Sequence, residues 1–282
     1  MKNYFEGWYF KQQNNECAIA LIPAIHTSEN SQTASLQIVT DQDAFCIDYA
    51  INDVLLCRHR FFVALGNSHF SLGGIHLDIC TKDLTAVGTL HFNSLRSPAY
   101  DIMGPFRYVP FLECRHSVFS IKHTVCGLLE LNGRKIQFDN GDGYIEGDRG
   151  YSFPKRYLWS QCTFAEGSLM LSVADIPFLS GTFTGIIGII LYQGHEYRFA
   201  SYLGARAVSI NSGKAVVRQG NWVLTVEQLD GECKLLAAPI SGAMTRYIQE
   251  SISCSVHYRL SRGKEVLFDF ISDCASFENE YE

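Results

Sequence analysis

Apolar and polar residues alternate with a period of two through much of this chain, and no other feature limits the fold as strongly. Ser35-Leu36-Gln37-Ile38-Val39, His69-Phe70-Ser71-Leu72, Gly74-Ile75-His76-Leu77-Asp78-Ile79 and Asn221-Trp222-Val223-Leu224-Thr225-Val226-Glu227 all show it. Successive side chains of a strand point to opposite faces, so alternation marks strands with one buried side. Turn signals separate these runs: Asn132-Gly133, Asn140-Gly141, Gln193-Gly194, Asn211-Ser212-Gly213, Asp230-Gly231 and Arg262-Gly263. Patterns with a helical period are scarce. One helix is expected over residues 244–252 and a short one near residues 108–114. The expected fold is all-β, with many short antiparallel strands arranged as barrels or sandwiches.

The order of features repeats. Trp8-Tyr9-Phe10-Lys11-Gln12 opens one half and Trp159-Ser160-Gln161 the other. An apolar strand ending in Ile-Pro follows each, at Ile22-Pro23 and Ile176-Pro177. Gly104-Pro105-Phe106-Arg107-Tyr108-Val109 parallels Met244-Thr245-Arg246-Tyr247-Ile248. A hairpin closes each half, turning at Asn132-Gly133 and at Arg262-Gly263, and acidic segments follow to Glu146 and Glu278. The repeat predicts two related β-domains, 1–150 and 151–282, joined near residues 150–156. Small antiparallel barrels can hold one ligand, and two packed together create a cleft between them.

Composition narrows the partners. The chain has 282 residues, 47% hydrophobic and only 18% charged, with nineteen Phe and fourteen Tyr. A formal charge of −6 argues against nucleic acid. The ten cysteines include no CxxC pair, and the start Met1-Lys2-Asn3 is not a signal peptide. They read as free thiols in a reducing cytoplasm. The apolar run 176–192 is interrupted by Pro177, Gly181, Gly185 and Gly188, so it reads as two buried strands around a bend rather than a membrane span. No dinucleotide fingerprint or P-loop is present.

Candidate chemistry concentrates in residues 139–154, which hold four acidic side chains, four glycines and two tyrosines. Glycine permits tight bends and close backbone approach, so the segment can aim acids at one place. The chain resembles the tocopherol cyclase family through segments such as Tyr4-Phe5-Glu6-Gly7-Trp8-Tyr9-Phe10-Lys11 and Gly104-Pro105-Phe106-Arg107-Tyr108-Val109-Pro110-Phe111-Leu112-Glu113-Cys114. Gly143-Tyr144-Ile145-Glu146 leading into Gly150-Tyr151-Ser152-Phe153-Pro154, then Trp159-Ser160-Gln161 and Ala174-Asp175-Ile176-Pro177-Phe178, carry it further. Where that family usually reads Glu-Lys-x-Trp-Gly, this chain has Glu146-Gly147-Asp148-Arg149-Gly150.

The resemblance implies two tandem lipocalin-like, calycin-type antiparallel barrels with few short helices. It also implies closure of a chromanol-type ring from a prenylated hydroquinone or similar apolar substrate. A proton adds to the prenyl double bond and a phenolic oxygen attacks the resulting tertiary cation. That reaction is redox-neutral, so no cofactor or metal is expected. The expected partner is a lipophilic small molecule, taken up with or without peripheral membrane contact, in a cytoplasmic protein. A non-catalytic carrier of a lipophilic ligand is the alternative.

Protonating an alkene calls for a carboxyl kept uncharged in an apolar cavity, with aromatic faces to stabilise the cation. Glu146, Asp148 and Asp175 are the catalytic candidates. Glu146 could instead pair with Arg149 or Arg107, Asp148 with Arg149 in a solvated turn, and Asp175 could cap a turn before Pro177. The substrate-binding candidates are Glu6, Trp8, Arg107, Tyr108, Glu113, Tyr144, Trp159 and Gln161. Trp8 and Trp159 serve equally as barrel core, and the duplication of Arg107 as Arg246 suits a structural role. His116 and His123, seven apart on one strand, face opposite sides and do not make a metal pair; His116 could shuttle a proton, but a lone His more often reads as structural.

Overall fold

The computed structural model describes residues 3–29, 31–110, 112–178, 181–211 and 213–281. Eleven strands form one sheet: β1 (Tyr4–Gln13), β2 (Ala18–Thr27), β3 (Gln32–Thr40), β4 (Ala44–Ala50), β5 (Val54–Cys57), β6 (Phe62–Leu65), β7 (Ser68–Ser71), β8 (Gly74–Cys80), β9 (Thr85–Arg96), β10 (Cys114–Leu131) and β11 (Arg134–Gly150). Ten form the other: β12 (Tyr157–Phe164), β13 (Gly167–Phe178), β14 (Gly181–Tyr192), β15 (His195–Ala200), β16 (Arg206–Asn211), β17 (Lys214–Gln219), β18 (Trp222–Asp230), β19 (Lys234–Ile240), β20 (Ala243–Arg262) and β21 (Glu265–Asn279). All described strand pairs are antiparallel.

Both sheets follow the same strand order in outline, except that β19 of the second lies off the main path and pairs with β20. The first strand of each lies beside the last, β1 on β11 and β12 on β21. The edge strands are consecutive in the chain: β4 leads to β5 through the 3-10 turn Ile51–Asp53, and β15 to β16 through Ser201–Leu203. A short connection keeps those edges near each other, so each sheet must curl around its own interior. The result is the expected all-β architecture of lipocalin-like barrels, the first nearly closed. The core of the first holds Phe10, Leu21, Leu36, Ile38, Phe70, Leu90 and Phe138. The second holds Leu158, Leu169, Ile190, Phe199, Leu224, Val256 and Phe277.

A third apolar cluster lies between the sheets. It joins Tyr9, Ala18, Ala20, Val118, Ile121 and Tyr144 of the first to Trp159, Met170, Ala174, Ile189, Ile248 and Ile252 of the second. The Tyr9 and Trp159 rings meet edge to face with centroids 5.4 Å apart. A Tyr9 hydroxyl to Ser276 Oγ hydrogen bond of 3.0 Å crosses the same seam.

Both helix expectations need correction. Residues 244–252 form the start of β20, whose inward residues include Met244, Ile248, Glu250 and Ile252. A spacing of four is a multiple of two, so these apolar residues suit one face of a strand as well as one face of a helix. The helical turn expected at residues 108–114 is a 3-10 turn at Gly104–Tyr108, and Cys114 already begins β10. The run 176–192 forms the end of β13 and all of β14; Leu179 and Ser180 of its bend, like Phe111, lie outside the described residues. No disulfide links the cysteines. Among the described residues no helix is long and apolar enough to cross a membrane.

Two glycines lock the pairing of β9 with β10. Gly88 and Gly127 have φ of +136° and +137°, and a Cβ on either would lie 2.2 Å from a carbonyl oxygen of the opposite strand. Gly127→Ala is therefore expected to cost about 2–4 kcal/mol, from backbone strain plus steric overlap. Urea unfolding measures it, and a variant within 0.5 kcal/mol of wild type, about the spread of neutral surface changes, would contradict this account.

Candidate active site

The acid-rich segment 139–150 is not a bent joint but part of the continuous strand β11. Alternation puts Tyr144, Glu146 and Asp148 on one face, toward the second sheet. Glycines between them make room rather than turns. A Cβ on Gly147 would lie 2.8 Å from the Gly7 carbonyl oxygen, and one on Gly143 would lie 2.1 Å from His123 Nε2.

His116 on β10 sits directly across from Asp148 in the β10–β11 register. Its Nδ1 is 3.0 Å from Asp148 Oδ1 and its Nε2 is 3.1 Å from Glu146 Oε2. The Tyr144 hydroxyl donates to that same Glu146 oxygen at 2.5 Å, and Trp159 Nε1 donates to it at 3.3 Å. Burial alone would lower the His116 ring, but the Glu146 and Asp148 carboxylates outweigh it and hold the ring well above its ordinary value. The ring thus lies between two carboxyl groups, with Nδ1 hydrogen-bonded to Asp148 and Nε2 within ion-pair distance of Glu146 but without a hydrogen bond to it. Glu146 pairs with His116, not with Arg149 or Arg107; Arg149 is exposed.

The ligand atoms of His116, Glu146 and Asp148 fall within 4.8 Å of one another, close enough to share an ion. A metal-bound histidine gives the ion one ring nitrogen and the other to a carboxylate or carbonyl; here Nδ1 bonds Asp148 and Nε2 has no hydrogen-bond partner.

This bridge forms one wall of a pocket that is lined from both sheets and opens to solvent. Phe5, Trp8, Tyr9, Phe106, Phe153 and Trp159 give it aromatic walls, and Ile22, Ile176, Ile187, Leu236 and Ile248 complete the apolar lining. Two further acids reach it, Glu250 from β20 and Glu278 from β21. Burial pushes Glu250 up to about 7, against the pull of Tyr9 and Lys11. Burial, then the neighbouring Glu250 charge, hold Glu278 well above the usual carboxylate range, although the Tyr157 hydroxyl bonds it at 2.5 Å.

Of the residues singled out in the sequence, Glu146, Asp148, Trp8 and Trp159 line this pocket, and Tyr144 stands behind Glu146. The others do not line it. Alternation turns Ser172, Ala174 and Ile176 into the pocket and Asp175 away, where Arg156, Thr184 and Tyr281 engage it. Glu6 is held by Arg58 and Tyr4. Arg107 is exposed and paired with Asp101 at 3.4 Å, and Tyr108 is 78% exposed. Glu113 lies beyond Leu112 and Cys114, which do line the pocket. Gln161 is buried away from it, bonded to Thr163. Glu250, Glu278 and Tyr157 join the site without having been proposed for it, and so does His116, which the sequence reading set aside as structural. For Glu278 the signal was available, because the repeat sets it opposite Glu146. Glu250 was hidden inside the segment read as a helix.

Residues 78–279 match the family described as tocopherol cyclase-like. The chain belongs to that family. A probable chloroplastic tocopherol cyclase of Oryza sativa subsp. japonica is 28% identical over 126 residues, 42% of this chain and 25% of that protein. The match therefore spans about a quarter of that relative's length. Among solved structures, CghA aligns over 98% of this chain and 88% of its own with a TM-score of 0.60 at 8% identity. An AttH-type protein from Nitrosomonas europaea covers 100% and 93%, with TM-score 0.58 and 10% identity. Kievitone hydratase from Nectria haematococca covers 99% and 89%, with TM-score 0.54 and 9% identity. At such identities these three speak to the barrel fold alone, as the family's other features do not follow from shape.

Proposed function

We propose that this protein is a tocopherol cyclase-like enzyme, using proton transfer and no cofactor to close a chromanol-type ring on a prenylated hydroquinone or similar apolar substrate. The observation that carries the proposal is the Glu146–His116–Asp148 bridge in the wall of a pocket lined mainly by apolar and aromatic side chains. Burying charge is costly and needs a reason beyond packing. A lipophilic carrier would need the apolar walls but not the acids.

In this reading the apolar lining excludes water that would trap a cation as an alcohol. Trp8, Tyr9 and Trp159 offer ring faces to the developing positive charge. Glu146, held at one oxygen by Tyr144 and Trp159, takes the phenolic proton as the oxygen attacks, and His116 with Asp148 fixes its position.

Purified protein incubated with a geranylgeranyl- or phytyl-benzoquinol is expected to yield the chromanol. Glu146→Gln is expected to lower kcat by roughly 10²–10⁴-fold, the usual contribution of positioned proton transfer, with the fold retained. Tight binding of the quinol with no product from wild type would favour the carrier instead, and full activity in Glu146→Gln would remove that residue from the mechanism.

A further inference from the structure

The bridge on the first sheet leaves open which group gives the proton. Glu146 is surrounded by donors, which suits a group that accepts one. The second sheet holds a different arrangement. Glu250 and Glu278 are direct cross-strand partners in the β20–β21 register, and both reach the pocket. Cβ atoms of directly opposed residues lie roughly 4.5–5.5 Å apart, so two carboxyl groups there repel strongly when both are ionised. Such a pair retains one proton between them.

Resting on the cyclisation reading above, we propose that Glu250 and Glu278 form a carboxylic-acid dyad, and that Glu278 delivers the proton to the substrate double bond.

Surroundings separate the two members. Glu250 is sealed, 1% exposed, with one carboxyl oxygen lacking a hydrogen-bond partner. Glu278 keeps part of its surface open to the pocket and is enclosed by protein elsewhere. The Tyr157 hydroxyl holds Glu278 Oε2, which fixes the carboxyl and leaves its other oxygen for the transferable proton. Among the described residues no ion pair to Glu278 is formed, and Arg246 is bound to Glu280 at 2.5 Å and to the carbonyls of Pro154 and Lys155. Other charged or titratable groups acting on the dyad are Tyr9 and Lys11 from β1, Glu146 and Asp148 from β11, and Tyr157 from β12. Lys11 itself donates to the Cys274 carbonyl at 2.7 Å.

The step balances without an oxidant. The Glu278 O–H bond breaks as the alkene electron pair forms a C–H bond, leaving a tertiary cation and a carboxylate. The phenolic oxygen closes the C–O bond, and its proton passes to Glu146. Net, the substrate is isomerised. Glu146 then releases its proton and Glu278 regains one from solvent at the pocket mouth, which closes the cycle. The two barrels thus contribute opposite halves of the chemistry, acid from the second and base from the first.

Infrared spectra recorded at mildly alkaline pH, where Glu250 is ionised, test the dyad apart from turnover. Wild type is expected to show the carbonyl stretch of a protonated carboxylic acid, and Glu278→Gln is expected to lose it while keeping its circular dichroism and melting behaviour. Glu278→Gln should also lower kcat by roughly 10²–10⁴-fold on the prenylated quinol. Glu250→Gln removes a neighbouring negative charge, so the alkaline limb of the kcat–pH profile should move to lower pH, a change that simple loosening of the fold would not produce. A band absent from wild type, or surviving in Glu278→Gln, overturns the proposal; so does normal turnover in that variant, while leaving the cyclase reading intact. A protonated band lost in Glu278→Gln, with no chromanol formed by wild type, upholds the dyad and sinks the substrate reading instead.

Discussion

Replacing His116 with leucine is expected to destabilise the protein by about 3–5 kcal/mol, the largest loss for any single change at the site. The ring lies between two carboxylates, 3.1 Å from Glu146 and 3.0 Å from Asp148. Leucine fills similar space but leaves both acids facing each other, with Glu146 only 5% exposed. The cost comes from stranded charge and not from lost packing. It follows that adding Glu146→Gln to His116→Leu should restore part of the loss, although Glu146→Gln alone is destabilising. Urea midpoints of the four proteins give the coupling, expected at 0.5–3 kcal/mol. Additive losses would show that the imidazole is neutral and the bridge contributes little.

Acid should destabilise the protein through a different histidine. His123 is 1% exposed and packs against Phe92 with ring centroids 4.4 Å apart. Burial lowers its ring from 6.5 to about 3. Below pH 6.5 the unfolded chain takes up a proton that the folded chain refuses, so stability present above that pH is lost progressively down to about 3. One unit of difference corresponds to 1.36 kcal/mol, so the full loss is about 5 kcal/mol and about 2 kcal/mol is already gone at pH 5. His123→Gln should be somewhat less stable than wild type at pH 7.5, having lost the ring contact, yet less sensitive to acid. The two curves of urea midpoint against pH should converge or cross between pH 7.5 and 4.5. Parallel curves would show that His123 is not buried in its neutral form. His26, lowered to about 4 by burial, should leave a shallower slope in the variant.

Much of the fold was legible because strand periodicity is strict. A residue in a strand has only two sides to choose between, and Leu36, Ile38, Leu224 and Val226 all face cores. The doubled order of motifs likewise foreshadowed one strand order repeated in outline. The failure at residues 244–252 has a physical origin. Met244, Ile248 and Ile252 are spaced by four, which both periods accommodate, and Pro or Gly is absent to break the tie.

The site was less legible, since a side chain's partners come from other strands. Glu146 could be picked out by its glycine-rich, aromatic context. Nothing local to His116 tells that Asp148 lies across the ladder from it; three register shifts and a hairpin separate them in the chain. Asp175 shows the reverse error. It is one residue from pocket-lining Ala174 and Ile176, but one step along a strand is half a turn away from the ligand.

The pairing of the first strand of each sheet with its last has a consequence for how the protein is made. Phe5 pairs with Gly150, so β1 waits during synthesis for the whole of its half before its second neighbour exists. Until then one side of β1 offers unpaired amides to any other nascent chain. Nonlocal closure of this kind predicts slow folding, on the order of milliseconds to seconds. Pausing translation soon after residue 150 should let the N-terminal half close alone, whereas pausing before β11 should leave a sticky intermediate that calls on chaperones.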